Sequence, residues 1–261
     1  MLKTYTSAIL LLTDKHSDMV KIQYLTLKRA SKNRADLFIA YHQKEESVPP
    51  LIKNASNFVF TDEILTELAY KPIRQSLIPG SNHFPLLKFY LQNPFYEYYW
   101  VIEDDVRFNG DWDFFFETVF SLKNDFISCY VNTWNSEPLW PWWNIWHPSK
   151  IIPLESRLKS FNPIYRISNL ALNFMHRSLS DNWYGHHEVI LPTLLNDGGF
   201  KIADFGGEGP YVPEGFTNRL YINQGITEEG YYCEGTMRYR PIFSTQGNEP
   251  DKLYHPVKDI T

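Results

Sequence analysis

The sequence has little cysteine and no long apolar run. Its 261 residues include two cysteines, Cys129 and Cys233, which lie far apart in the chain. They provide neither a disulfide scaffold nor the spacing of a zinc site, so we expect a reducing, cytoplasmic setting. The apolar part of the N-terminal segment MLKTYTSAILLLTDKHSD is too short to span a membrane and has no small-residue cleavage site. We therefore expect no transmembrane segment.

Positive charge is also scarce. The chain has 25 lysines and arginines against 30 aspartates and glutamates, a net charge of −5. This balance argues against nucleic acid as a partner, and an anionic ligand would need a metal or a local group of cations. Hydrophobic residues, at 43%, can fill the core of a sizeable α/β domain, and the 16% of aromatic residues favour ring stacking on ligands as well as core packing.

Apolar strands alternate with helical segments through the first hundred residues. MVKIQYLTLKRA and SNHFPLLKFYLQNP are predicted to be helices, and Thr61 is expected to cap a third helix over TDEILTELAY. This alternation predicts a mostly parallel sheet flanked by helices. Four strands are expected here, at residues 7–13, 35–41, 57–60 and 98–102.

Three acids follow the fourth strand directly. Glu103, Asp104 and Asp105 come immediately after YYWVI, and in open α/β sheets ligands bind beyond the carboxyl ends of the strands. Carboxylates this close repel one another unless a cation or hydrogen-bond donors compensate, and a hard divalent metal fits that need. The alternative is an ordinary solvated turn. After this turn, Asp111 is expected to cap a helix with an aromatic face.

The segment VIEDDVRFNGDWDFFFE, residues 101–117, resembles the acidic metal motif of GT-A-fold glycosyltransferases, most closely the Glu-Asp-Asp version of inverting N-acetylglucosaminyltransferases. The resemblance implies one GT-A domain, an α/β fold with a mostly parallel central sheet. Residues 1–110 would form its nucleotide-binding half, and residues 111–261 its acceptor half and tail. It also implies that Asp105 binds Mn²⁺ or Mg²⁺ at the donor diphosphate, while Glu103 and Asp104 face the ribose or order metal-bound water.

The resemblance places a nucleotide, uridine or guanosine, against the ends of the first and third strands. Thr13, Asp14 and Thr61 are the candidate contacts, and a UDP-sugar is the favoured donor. Residues 125–131 and 165–174 are expected to form two further strands. The second of these would bring Arg166 and Asn169 to phosphate or sugar near the reaction centre.

Residues 134–150, WNSEPLWPWWNIWHPSK, contain five tryptophans. The three prolines exclude a long helix, so the tryptophans are expected on a loop or lid. Three interpretations remain open: a small core beneath the loop, a wall on which acceptor sugars stack, and a contact with the membrane interface. Trp142, Trp143 and the later Trp183 are the candidates for acceptor binding.

A helix start is expected within WYGHHEVILPTLLNDGG, residues 183–199. Pro192 is predicted to lie in the first helical turn, so the helix would begin near Glu188 and close at Gly198 and Gly199. At the N-terminal end of a helix, the dipole would help to keep the Glu188 carboxylate ionised.

The same segment is similar to the aromatic-Gly-x-acid pattern of inverting GT-A enzymes, which implies that Glu188 removes the proton of the acceptor hydroxyl. The alternative is an ordinary acid at a helix start. The segment departs from the pattern at His186 and His187, of which His187 is a candidate acceptor contact. With Glu188 these histidines could instead suggest a metal cluster, although adjacent residues at a helix start rarely converge on one ion.

The C-terminal segment has few regular signals. GT-A enzymes often complete the metal shell with a C-terminal histidine, so the resemblance implies this role for His255. Lys258 would then reach the diphosphate. The alternative is a solvated histidine in a terminal tail.

These features predict a metal-dependent glycosyltransferase that moves a sugar from a nucleoside-diphosphate sugar to a hydroxyl of a glycan or glycolipid acceptor, with inversion. Polysaccharide biosynthesis in the cytoplasm is the expected setting, and peripheral contact with the inner membrane face is left open. A sugar nucleotidyltransferase would need a glycine-rich phosphate loop around Thr13, which the sequence lacks. The alternative from another class is a calcium-dependent carbohydrate-binding protein without catalysis.

Overall fold

The computed structural model describes residues 6–44, 55–223 and 234–258. The strands are β1 Ser7–Thr13, β2 Ala35–His42, β3 Asn57–Phe60, β4 Tyr98–Glu103, β5 Arg107–Phe108, β6 Phe126–Thr133, β7 Ile145–Trp146, β8 Leu158–Ser168, β9 Tyr184–Gly185, β10 Ile202–Asp204 and β11 Leu253–Tyr254. The helices are α1 Asp18–Ser31, α2 Ile64–Glu67, α3 Phe84–Gln92, α4 Trp112–Phe120, α5 Asn169–Ser180 and α6 His187–Asp197, with a 3-10 turn at Leu154–Ser156.

Seven strands form the central sheet, in the order β10-β6-β8-β4-β1-β2-β3. β8 runs antiparallel to both of its neighbours, and the other pairs are parallel. This confirms the predicted α/β fold with a mostly parallel central sheet flanked by helices. Because β1 and β4 are adjacent and parallel, with Leu12 opposite Glu103, both strands deliver their carboxyl ends to the same edge of the sheet.

Helices cover both faces of the sheet because its central strands are apolar on both faces. In β1, Ala8 and Leu10 are buried in one layer, and Ile9 and Leu11 are buried in the other. This division follows from the two-residue period of a strand. The first layer packs against α3, α5 and α6, and the second packs against α1 and α4. Each fully buried leucine or isoleucine stabilises the fold by roughly 1.5–3 kcal/mol.

The C-terminal segment folds back onto the acid-bearing turn after β4. β11 pairs antiparallel with β5, with Leu253 opposite Phe108. The backbone N–H of Val257 also donates to the carbonyl of Asp105 over 2.8 Å. His255 is only 7% exposed. The histidine is therefore part of the packed domain, and the alternative of a solvated tail does not describe it.

The helix after β3 is shorter than the sequence predicts. We expected a helix over TDEILTELAY with Thr61 as its cap, but α2 is a single turn, and no side chain caps it. The hydroxyl of Thr61 instead accepts a hydrogen bond from the N–H of Glu63 over 3.4 Å. Local hydroxyl-to-backbone bonds of this kind compete with helix formation, and here they produce a turn.

The strand predicted at residues 165–174 is wrong in its second half. β8 is longer at its start and ends at Ser168, whose hydroxyl accepts a hydrogen bond from the N–H of Ala171 and begins α5. Serine is a preferred helix cap. The boundary was missed because the apolar pattern runs through it from strand to helix without a glycine or proline.

The position predicted for Pro192 is also wrong. α6 begins at His187, so Pro192 is its sixth residue and lies beyond the first turn. The helix is capped by His186, whose Nδ1 accepts a hydrogen bond from the N–H of Glu188 over 3.3 Å. The predicted end is confirmed, with Gly198 as the C-cap and Gly199 at a φ of 77°.

Three other observations bear on the sequence predictions. Asp111 caps α4 as expected, accepting a hydrogen bond from the N–H of Asp113. Cys129 is buried in β6, and Cys233 lies outside the described residues. Within the described ranges, no helix is long and apolar enough to cross a membrane.

Candidate functional site

The turn after β4 directs three adjacent carboxylates to different surroundings. The N–H of Asp104 still pairs with the carbonyl of Leu12 over 3.0 Å, which continues the alignment of β4 with β1. The guanidinium of Arg107 then donates to the carbonyls of Asp104 and Val106. These contacts hold the backbone of the turn. Asp104 faces the end of β1, while Glu103 and Asp105 both lie near His255.

Asp104 faces the end of β1. Its Oδ2 accepts a hydrogen bond from the hydroxyl of Thr13 over 2.6 Å, and Nζ of Lys15 lies 3.3 Å from its Oδ1. Burial raises the pKa of Asp104, and the contacts with Thr13 and Lys15 oppose part of that rise. Asp14, beside Thr13, accepts a hydrogen bond from Lys44 over 2.6 Å. The end of β1 therefore carries both cations and acids.

Asp105 faces the C-terminal segment. Nε2 of His255 lies 3.3 Å from its Oδ1, and Nζ of Lys258 lies 3.2 Å from its Oδ2. Burial alone would raise the pKa of Asp105, but the charges of His255 and Lys258 hold it well below its usual range. Burial acts to lower the pKa of His255, but the two carboxylates beside it raise that pKa to about 9. Asp105 is therefore ionised and His255 protonated at neutral pH.

Glu103 completes a three-residue cluster that we call the strand-tip cluster: Glu103, Asp105 and His255. Its carboxylate lies 3.6 Å from Nε2 of His255 and accepts a weak hydrogen bond from Asn82 over 3.4 Å. One ligand atom from each of the three residues lies within 4.8 Å of the others. Two carboxylates and one imidazole suit Mn²⁺ or Mg²⁺.

The surroundings of the strand-tip cluster also fit a cation. Oδ1 of Asp105 is buried and has no hydrogen-bond partner among the described residues, although the His255 ring is close to it. A cation would satisfy this oxygen, and it would compete with the proton for Nε2 of His255 because only neutral imidazole binds metals.

Two cavities meet at the strand-tip cluster and share Glu103, Asp105, Asn82 and Lys258. The smaller, of about 260 Å³, lies over the ends of β1 and β2 and is lined by residues that include Thr13, Asp14, Lys15, His42, Phe60 and Asp104. The larger, of about 410 Å³, is lined by residues that include Trp140, Trp142, His187, Glu188, Arg240 and His255. The carboxylates thus lie at the boundary between two compartments.

Glu188 lies in the larger cavity at the start of α6. Its Oε1 accepts a hydrogen bond from the N–H of Asn162 over 3.2 Å, and only 14% of its side chain is exposed. Burial raises the pKa of Glu188 to about 7, against the lowering effects of the Asn162 N–H and Lys159. The nearby Glu103 adds to the rise. We expected the helix dipole to favour the ionised form, but burial outweighs it.

The tryptophan loop divides into buried and cavity-facing parts. Trp140 and Trp143 are 7% and 5% exposed and belong to the core layer of α3, α5 and α6. The indole N–H of Trp143 donates to the carbonyl of Glu137 over 2.9 Å. Trp142 is half-buried and stacks on the ring of His186, with centroids 4.9 Å apart. The loop therefore contributes both to the core and to a cavity wall.

Five of the predicted site residues line neither cavity: Thr61, Trp143, Arg166, Asn169 and Trp183. Phe60, and not Thr61, lines the smaller cavity. The guanidinium of Arg166 is buried and donates to the carbonyls of Val119, Leu122 and Asn124, because β8 is antiparallel and Arg166 lies opposite Trp100 in β4.

Asn169 lies near the start of β4, where its amide donates to the carbonyl of Tyr96 over 2.8 Å. Arg166 and Asn169 therefore both lie far from the carboxyl end of β4. The phosphate or sugar contacts predicted for them are not consistent with this position. Trp183 packs against His147, with centroids 4.9 Å apart, and also lies outside the larger cavity.

Several residues of the site were not predicted from the sequence. Lys15 follows Thr13 and Asp14 in the turn after β1, so the rule that placed those two residues could have included it. Asn82 is the second residue of a segment predicted to be a helix, and nothing in the sequence indicated that it belongs to the site. Lys159 is fully buried and pairs with Glu137, whose Oε2 lies 2.5 Å from its Nζ. A single lysine in a predicted strand gives no indication that its partner lies in another segment.

Comparisons with known proteins give similarity in fold only. No protein-family model matches the chain, and no curated protein matches it significantly in sequence. Among solved structures, the galactosyltransferase LgtC in complex with donor and acceptor sugar analogues is 8% identical, with a TM-score of 0.40 over 76% of this chain and 73% of that chain. The 4-diphosphocytidyl-2C-methyl-D-erythritol synthase from Anaerococcus prevotii is 12% identical, with a TM-score of 0.44 over 80% and 91% of the two chains. At these scores the similarities assign no activity.

Proposed function

We propose that this protein is a metal-dependent glycosyltransferase that moves a sugar from a nucleoside-diphosphate sugar, with UDP-sugars favoured, to a hydroxyl of a glycan or glycolipid. The observation that carries the proposal is the meeting of two cavities at the strand-tip cluster. One cavity lies over the ends of parallel strands, where nucleotides bind in α/β sheets. The other contains an acid suited to proton removal.

In the smaller cavity, this chain's own residues can hold a nucleotide. The hydroxyl of Thr13 and the ammonium of Lys15 are already oriented by Asp104. Lys258 lines both cavities and is paired with Asp105. A donor diphosphate would take Lys258 as a counter-ion, because phosphate oxygens are strong acceptors for an ammonium group.

Glu103, Asp105 and His255 would hold the Mn²⁺ or Mg²⁺ ion. When bound, the ion would neutralise the charge that develops on the leaving diphosphate. Because the chain has a net charge of −5, an anionic donor would need local cations, and the ion would add to the charges of Lys15 and Lys258.

In the larger cavity, Glu188 is the proposed base. An acceptor hydroxyl beside its carboxylate would lose its proton to Glu188 as the hydroxyl oxygen attacks the anomeric carbon. A pKa of about 7 leaves much of Glu188 ionised at neutral pH and matches a proton acceptor to that pH. Attack from the face opposite the leaving diphosphate gives inversion in a single displacement.

The acceptor would stack against Trp142. Its ring is held on one side by His186 and approached by the guanidinium of Arg74, 5.9 Å from the ring centroid. An aromatic face of this kind suits the apolar face of a sugar ring. His187, which also lines the cavity, is the second proposed acceptor contact.

The direct test is a thermal-shift series with nucleoside diphosphates in the presence of Mn²⁺, Mg²⁺, Ca²⁺ or a chelator. We expect UDP to raise Tm with Mn²⁺ and to have little effect with the chelator, since only bound ligand stabilises the folded state. The nucleotide that raises Tm most would then be supplied as the corresponding nucleotide-sugar donor in a transfer assay. NMR of the product would give its anomeric configuration.

Two outcomes would contradict the proposal. Stabilisation by a free sugar with Ca²⁺, without any nucleotide effect, would favour a carbohydrate-binding protein. Release of pyrophosphate from a nucleoside triphosphate and a sugar phosphate would favour a nucleotidyltransferase. Retention of the anomeric configuration in the product would contradict inversion and the role of Glu188. The protein would still be a transferase.

A further inference from the structure

A second group of potential ligands lies in the larger cavity, apart from the strand-tip cluster. We call His186, His187 and Glu188 the helix-start cluster. One ligand atom of each residue lies within 4.8 Å of the others, and Nδ1 of His186 is 3.7 Å from Oε2 of Glu188. We propose that the helix-start cluster is a second cation site, for a transition metal such as Zn²⁺, and that occupation of this site withdraws Glu188 from proton transfer.

The three side chains converge because of how α6 begins. His186 is the N-cap, with extended backbone, and His187 and Glu188 are the first two helical residues. The N–H of His187 donates to the carbonyl of Gly80 over 2.9 Å, which fixes the helix start against the segment before α3. The objection that adjacent residues rarely converge on one ion therefore does not hold for this bend in the chain.

The rings of His186 and His187 are both buried, at 6% exposure each, and both line the larger cavity. A metal would bind these imidazoles in their neutral form. An ion at His186 Nδ1 would replace the 3.3 Å hydrogen bond from the N–H of Glu188.

A second observation points to a ligand at this position. Nδ1 of His187 is buried and has no hydrogen-bond partner among the described residues, and the same is true of both ring nitrogens of His83. The rings of His83 and His187 are parallel, with centroids 6.5 Å apart. Buried nitrogens without partners cost roughly 1–3 kcal/mol each. A metal on His187 would remove part of this cost.

The ligand types separate the two clusters. Two imidazoles with one carboxylate favour Zn²⁺, Co²⁺ or Cu²⁺, whereas Mg²⁺ prefers oxygen ligands such as those of Glu103 and Asp105. Zinc bonds of about 2.0–2.1 Å would draw the three ligand atoms closer than 4.8 Å. His186 and His187 line the cavity, so an ion has a route from solvent.

The consequence for activity rests on the proposed function. A carboxylate oxygen bound to a cation is a poor proton acceptor because its lone pair and charge are engaged. Zn²⁺ should therefore inhibit transfer at saturating Mg²⁺, and a chelator should reverse the inhibition. The binding site itself does not depend on the transferase assignment.

The test is titration of the protein with Co²⁺ in excess Mg²⁺, followed by visible d–d absorption and by calorimetry with Zn²⁺. Excess Mg²⁺ occupies the strand-tip cluster, and Asp105→Asn provides an independent way to remove that cluster. We expect saturable binding of one Co²⁺ with imidazole-type bands in wild type and in Asp105→Asn. The exposed His16, at the start of α1, provides the matched control His16→Gln, which should bind as wild type does.

His187→Gln should weaken Co²⁺ binding by at least roughly tenfold, the scale on which even supporting residues affect metal affinity. Because His187 is buried, its folding must be checked by thermal melting, and Glu188→Gln provides a second variant that removes the carboxylate ligand. Absence of saturable binding in wild type would overturn the proposal, as would unchanged affinity in folded Glu188→Gln. Since these titrations contain no sugar donor, they fail or succeed independently of the transferase function.

Discussion

The strand-tip cluster and the helix-start cluster both combine histidine with carboxylates, but the pKa values of their histidines are shifted in opposite directions. His255, between two carboxylates, has a pKa raised to about 9. His186, packed between aromatic rings, has a pKa lowered to about 3. The carboxylates differ in the same way, because the pKa of Asp105 is lowered while that of Glu188 is raised to about 7.

The difference in pKa shifts comes from the groups that surround each cluster. At Asp105 and His255, attraction between the charged partners shifts both pKa values by more than burial does, whereas burial raises the pKa of Glu103. At the helix start, burial raises the pKa of Glu188 by more than the Asn162 N–H, Lys159 and His255 together lower it. The first arrangement suits binding of a hard cation and a diphosphate. The second leaves neutral imidazoles and a carboxyl group that exchanges its proton near neutral pH. The following predictions test this division.

The largest effect is expected for Glu188→Gln. Glutamine preserves size but cannot accept the acceptor's proton, so kcat should fall by about 10² to 10⁴-fold. Metal-dependent nucleoside diphosphate binding should remain near wild type, because it belongs to the strand-tip cluster. The two quantities are measured by single-turnover transfer and by calorimetry. If Glu188 only supports the helix start, turnover would stay near normal and stability would fall by about 1 kcal/mol.

The aromatic surroundings of the helix-start cluster can be tested with two adjacent tryptophans. Trp143→Ala should lower the free energy of unfolding by roughly 3–5 kcal/mol, because this side chain is 5% exposed and lies in the core. Trp142→Ala should cost less stability and should raise acceptor KM, because its ring faces the cavity. Chemical denaturation and steady-state kinetics separate the two.

Normal acceptor kinetics in Trp142→Ala would remove the acceptor role of that residue. Equal stability losses in the two variants would contradict the division of the loop into a core part and a cavity part.

Asp105→Asn should abolish most metal-dependent donor binding while the fold is retained. The substitution removes charge and keeps shape, and loss of a direct ligand should exceed the roughly 10- to 100-fold loss seen for supporting groups. His255→Ala should have a smaller effect, since water can replace one neutral ligand. Calorimetric titration of UDP at several Mn²⁺ concentrations measures both. Undiminished Mn²⁺ dependence in Asp105→Asn would remove Asp105 from the metal site.

The smallest effect concerns pH. In the proposed mechanism the ionised form of Glu188 is the base, and burial raises the pKa of Glu188 to about 7. The transfer rate should therefore level off above pH 7 and fall by about tenfold per pH unit below it. The residual activity of Glu188→Gln should lack this acid limb. A wild-type rate that stays flat from pH 5 to 8, with metal saturating, would argue against Glu188 as the base.

Much of the fold was predictable because its signals are local. Strands β1 and β3 have the predicted bounds, and Asp111 and Gly198 cap helices as their residue types suggest. The errors arose where local signals conflict. The apolar pattern continued through Ser168 from strand to helix, and Pro192 was assigned to a first turn although it lies further inside α6.

The candidate site was predictable only in its parts. The acids after β4 and Glu188 after Gly185 could be named from the sequence, and the structure brings both to the larger cavity. Arg166 was named because its strand was predicted to lie near the reaction centre, but the antiparallel direction of β8 carries it away from the carboxyl end of β4. Strand direction depends on pairing, which the sequence of one strand does not specify.

The sequence by itself determined the alternating α/β pattern, the position of the acidic turn and the chemical types available for metal and proton transfer. Periodicity, caps and turns act over a few residues, so they can be inferred from neighbours in the chain. The tertiary structure decided which of these residues meet, bringing His255 within 3.3 Å of Asp105 through the pairing of β11 with β5. It also decided their charges, because pKa values depend on burial and on partners that are distant in sequence.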